Sequence, residues 1–182
     1  MPNQELSLQG TLDVLYNNLK TGLIGTGVAA TAASLLLFQH NQHTSVGIWW
    51  LLMISLLLWR GYDLRCWNSL KTKREKYQPK ILQRFAMLAI ATAVLWSLFG
   101  LWFGIGADSE QLIVILATLA AIAAGVTNAL SSNKALIISY IVLCLLPFGL
   151  WFLWQGGEQV IFGYLGIIFT GLLSFSARNS YL

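Results

Sequence analysis

His40 and His43 are the only histidines in the chain, and their three-residue spacing is one that can hold a metal or sense pH. No carboxylate or thiol accompanies them in the segment 39–45, so no metal is expected there. Arg60 and Asp63 are also three residues apart, the spacing of a local ion pair on one helical face. Cys66 lies beside a basic segment and Cys144 inside an apolar run, settings that do not make a disulfide framework. Trp96, Asn128 and Tyr140 are the candidate ligand-binding groups, because each puts an orienting polar atom into apolar surroundings of the kind that hold an apolar or amphipathic small molecule. Residues of these types in such positions more often serve in packing.

The chemistry that is missing narrows the choice further. Coupled transporters and proton pumps place ionisable groups within the bilayer, and the six long apolar runs of this chain carry none in their interiors. The same lack removes bis-histidine haem ligation. There is no His-Glu-x-x-His metal helix, no Gly-x-Ser-x-Gly nucleophile elbow and no phosphate-binding glycine loop with its lysine. The chain is therefore expected to be non-enzymatic, with no catalytic residue, no metal and no cofactor.

The elements that position these residues follow from composition. Hydrophobic residues make up 57% of the chain and charged residues 10%, against about 25% charged in ordinary globular domains. The expected fold class is an all-α membrane protein, a six-transmembrane-helix bundle. Spans are expected at about 21–38, 46–62, 85–105, 111–131, 135–154 and 159–177, each near the roughly 20 residues that cross a bilayer. The second apolar run is short, 46–59, and reaches the interface only if Arg60 snorkels. Residues 1–20 place Leu8, Leu12, Leu15 and Leu19 on one stripe, either as an amphipathic helix on the membrane surface or as an extension of the first span. Residues 179–182 form a C-terminal stub. Ala117, Ala121, Gly125 and Ala129 recur every four residues, which marks the fourth span as the expected close-packed centre. Pro147 is expected to kink the fifth.

Arg60, Arg65, Lys71, Lys73, Arg74, Lys76, Lys80 and Arg84 are eight of the eleven basic residues, and they crowd one loop. That loop is expected in the cytoplasm and in contact with anionic lipid. Counting spans from it puts both termini in the cytoplasm, with the helices arranged as three hairpins, and leaves Asp108, Glu110 and Glu158 outside. The basic residues thus serve as topology signals, and nucleic acid is not an expected partner.

The pattern resembles a family, the N-terminal six-helix membrane input modules of bacterial sensor histidine kinases and diguanylate cyclases. The resemblance rests on Leu15-Tyr-Asn-Asn-Leu-Lys20, Trp59-Arg60 with the basic loop after it, and Leu95-Trp-Ser-Leu-Phe-Gly100. It continues in Ala120-Ala-Ile-Ala-Ala-Gly125, Leu145-Leu-Pro147 and Ala177-Arg178-Asn179. It implies a multi-pass sensor of the bacterial inner membrane, acting as a homodimer in signal transduction, for example in a two-component system. The last span would pass a signal to a cytoplasmic output domain, to which any catalysis would belong. That domain is absent from this sequence, which ends at Leu182. The expected function is sensory: detection of an apolar small molecule or a membrane state. The alternatives are a small carrier or channel for an uncharged substrate, and a structural subunit of a membrane complex.

Overall fold

The computed structural model describes residues 2–38, 43–72 and 79–179, with side chains described over 10–38, 44–69 and 80–179. Six long helices account for nearly all of it: α1 (Pro2–Phe38), α2 (His43–Thr72), α3 (Pro79–Gly104), α4 (Ser109–Ala129), α5 (Lys134–Gln155) and α6 (Val160–Asn179). A single 3-10 turn, Gly157–Gln159, precedes α6. Each of the six contains a stretch long and apolar enough to cross a membrane, and the described residues contain no strand. The chain is an all-α, multi-pass membrane protein.

Of the two readings of the N-terminal segment, the structure has the continuous one, a single helix from Pro2 to Phe38. Three members of the stripe, Leu12, Leu15 and Leu19, are buried inside the bundle together with Tyr16; the Leu8 side chain lies outside the described residues. Likewise α2 runs straight through Arg60 and on to Thr72. Burial of Asp63 and Trp67 continues, at i+3 and i+7 from Arg60, the face already marked by Met53 and Leu57.

The turns show ordinary chemistry. Asp108 caps α4 by accepting the Gln111 amide at 2.8 Å, and Asn133 caps α5 by accepting the Leu136 amide at 3.1 Å. Gly106 (φ 76°) ends the α3 side of its turn, and Gly156 and Gly157 (φ 72° and 70°) end α5, in conformations that strain any residue with a Cβ.

The packed centre is not α4. Ala117, Ala121 and Gly125 are exposed, and α4 buries the opposite face through Leu112, Ile115, Leu116, Leu119 and Ile122. The most buried helices are α3 and α5. The closest backbone approach is between α5 and α6: a Cβ on Gly163 would stand 2.7 Å from the Leu153 amide nitrogen and 2.9 Å from the Gly149 carbonyl oxygen. Where α3 meets α4 and α5, Gly100 and Gly104 make room for Leu119 and for the rings of Phe148 and Phe152. Small residues therefore work where a bulky side chain or backbone faces them, and periodicity alone does not identify that partner. Pro147 sits within an α5 that remains helical from end to end.

Candidate functional site: a buried charge cluster beside an open groove

Asp63 of α2 is 1% exposed and Arg60, one turn earlier, is 8% exposed. Charges this deep in a membrane bundle must be paired, and they mark function more often than packing. Tyr16 of α1 donates its hydroxyl proton to Asp63 Oδ2 at 2.6 Å. The other carboxylate oxygen forms an ion pair with Arg84 of α3, whose side chain is half exposed. Tyr16 is held in place by stacking on Trp67, with centroids 4.5 Å apart and planes 7° apart, and by the edge of Phe85 at 5.2 Å. One carboxylate thus joins three helices.

Arg60 does not pair with Asp63, although the spacing permits it. Its Nη1 donates to Thr92 Oγ1 at 3.2 Å, and the Thr92 hydroxyl in turn donates to the Leu88 carbonyl. Its guanidinium carbon lies 5.8 Å from the Phe85 ring centroid, close enough for a cation–π contact. Tyr140 of α5 is buried at 2% exposure. Arg60 is thus part of the bundle interior. Lys73, Arg74 and Lys76 lie outside the described residues, as does the side chain of Lys71; the side chains of Arg65 and Lys80 are exposed. His40 is likewise outside, and the side chain of His43 is not described.

Beside this cluster, α1 and α4 leave an open groove of about 750 Å³. Asn18, two residues after Tyr16, closes one end by donating its amide to the Asn128 carbonyl at 3.2 Å and to Ser131 Oγ at 3.3 Å. Ser132 donates to the Thr11 carbonyl at 3.1 Å nearby. Gly22 meets Ala129, and beyond that contact Gly25 and Ala29 face Ala121 and Gly125 across free space. Thr31, Thr92, Thr118, Thr127 and Thr170 return their hydroxyl protons to a carbonyl of their own helix. Thr21 and Thr26, which line the groove, make no hydrogen bond to the described residues.

The three sequence candidates fall in three different places. Asn128 lines the groove and also accepts the bond from Asn18. Tyr140 is buried in the core. Trp96 is fully buried among Trp49 (5.1 Å) and Phe99 (5.4 Å), and its indole N–H has no hydrogen-bond partner among the described residues. Trp49 faces outward from that aromatic group into a second, apolar cavity of about 300 Å³ between α2 and α3, and donates to the Leu95 carbonyl at 2.9 Å. Sequence reasoning missed Tyr16, Asn18 and Thr92. Tyr16 carried a usable signal, since it stands beside Leu15 on the buried stripe; Thr92 carried none.

Fold and site together define a multi-pass helical membrane protein with a buried three-helix ion-pair cluster next to a groove. No protein family, curated protein or solved structure matches the chain.

Proposed function

We propose that this chain is a non-enzymatic sensory input bundle of the bacterial inner membrane, with both termini and the basic loop in the cytoplasm and the helices arranged as three hairpins. One observation carries the reading: the same rigid helix, α1, walls the groove through Asn18 to Ala29 and, two residues earlier, holds Asp63 through Tyr16. An apolar or amphipathic molecule seated in the groove, or a change in the surrounding lipid, displaces α1 relative to α4. The displacement strains or relieves the Tyr16–Asp63–Arg84 contact, so each state of the groove favours one arrangement of α2 and α3. α4 and α5 carry the shift to the tightly packed α6 and from there to a cytoplasmic output, with a second copy of the chain as partner.

The test is thermal unfolding of the purified chain against a panel of lipophilic compounds. A ligand is expected to raise the midpoint of the wild type and to leave Gly125→Leu, whose side chain fills the groove, unmoved. Absence of any shift across the panel, combined with flux of an uncharged solute in proteoliposomes, would replace sensing by transport.

A further inference from the structure

The groove between α1 and α4 is lined by neutral residues throughout, and its polar groups are not spread evenly along it. Asn18, Thr21, Asn128 and Ser131 gather at the end next to the turn between α4 and α5, whereas Gly25, Ala29, Ala121 and Ile122 line the rest. From Asn18 to Ala29 the helix rises about 16 Å, half of a hydrocarbon core of about 30 Å. Ile24 and Val28, next to Gly25 and Ala29 on α1, are exposed within the span, so this wall borders lipid. The polar end has bonding capacity in both directions. Asn18 spends its amide N–H groups on the Asn128 carbonyl and on Ser131 Oγ, and its own side-chain oxygen accepts nothing from the described residues. The Asn128 side chain and the Thr21 hydroxyl make no hydrogen bond to them either. Farther in, the Thr26 hydroxyl lacks an acceptor among them, although Thr31 on the same helix returns its proton to the Gly27 carbonyl at 2.9 Å. No ionisable side chain lines the groove, and Lys20, beside Thr21 in sequence, is exposed.

We infer that the groove binds an uncharged single-chain amphiphile with a hydroxylated head and a carbonyl where the chain begins, a glycerol monoester being the simplest such molecule. Hydroxyls both donate and accept, as Asn18, Thr21 and Asn128 require, and the carbonyl accepts the Thr26 proton. A carboxylate only accepts, so it leaves the Asn18 oxygen unmet and finds no cation in the lining. The walls touch at Gly22 and Ala129 and open beyond them between Gly25 and Gly125, a width that suits one hydrocarbon chain. The volume of about 750 Å³ lies within the range of small-molecule sites, roughly 300–1,000 Å³. This deepens the sensory reading and rests on its choice of the groove.

Thermal unfolding of the full chain in phosphatidylcholine nanodiscs tests this, with monolauroylglycerol, dodecanol, dodecane or laurate added, the last at a pH that keeps it ionised. Monolauroylglycerol is expected to raise the wild-type midpoint by about 5–10 °C near saturation, dodecanol by less, and dodecane and laurate not at all. Gly125→Leu, or Ala121→Leu if the first does not fold, is expected to abolish the shift by filling the groove. Thr26→Val is expected to weaken monolauroylglycerol about tenfold and to leave dodecanol, which has no carbonyl, unchanged. A laurate shift as large as that of the ester, absent from Gly125→Leu, overturns the uncharged head and leaves the groove as the sensory site. Its loss in Lys20→Gln would then assign an acidic head. Equal ester affinity in Thr26→Val and wild type overturns the carbonyl and with it the proposed class. An ester shift that survives in both groove-filling variants, or a wild type that no compound shifts, overturns the inference together with the sensory reading of the groove.

Discussion

Tyr16 and Asp63 are 47 positions apart in sequence, and their contact at 2.6 Å depends on two helices holding register over several turns. A hydrogen bond to a charged acceptor contributes about 1.5–3 kcal/mol. Tyr16→Phe keeps the stacking on Trp67 and removes only that bond, so a loss of this size is expected in denaturant unfolding of the purified chain. Asp63→Ala is expected to cost more, since it leaves the Tyr16 hydroxyl without an acceptor as well as breaking the ion pair. Arg84→Gln is expected to cost least of the three, because a half-exposed guanidinium is already screened by solvent. If Arg84→Gln proved the most damaging, the carboxylate would owe its burial to the ion pair and not to Tyr16.

Glycines separate the helices that pack backbone to backbone from those that leave space between them. Gly163 faces the α5 backbone so closely that an added methyl has nowhere to go, and Gly163→Ala is expected to destabilise by about 1–3 kcal/mol. Gly125 has nothing within 4 Å of the same position, so Gly125→Ala is expected to be neutral or to stabilise α4 by up to about 1 kcal/mol. Paired unfolding measurements check both. The contrast bears on mechanism, because α5 and α6 approach backbone to backbone while α1 and α4 leave a groove between them. At the end of the groove away from Asn18, α1 is tied to α2 by the bond from Trp50 Nε1 to Thr31 Oγ1, 3.2 Å long.

For the molecule as a whole, a single experiment reads the orientation in the membrane. With Cys66→Ser and Cys144→Ala as background, Glu110→Cys is expected to react with a membrane-impermeant thiol reagent added to intact cells. Arg178→Cys is expected to react only after permeabilisation. The reverse pattern would turn the bundle over and place the Arg60–Asp63 cluster toward the outside. All eleven Lys and Arg fall on one side under the expected orientation, which is the physical reason for choosing it.

The sequence by itself determined the class and the helices. Six runs without interior charge have no other stable arrangement in a bilayer than α-helices, since each backbone amide must find its partner within its own segment. It also placed the turns near 106–110, 132–134 and 155–158, and the structure has them at 105–108, 130–133 and 156–159, where glycine and capping side chains interrupt the helices. Which helix forms the centre was decided only by the tertiary structure, because a small residue buries nothing until a larger neighbour faces it. Ala117, Ala121 and Gly125 kept perfect spacing and face a groove or lipid, whereas Gly163, with no such row, meets the backbone of α5. The same holds for Arg60 and Asp63. Their spacing permits a pair on one helix, but Tyr16, Arg84 and Thr92 arrive from other helices and provide different partners. Local spacing fixes which groups share a face; only packing between helices decides which of them meet.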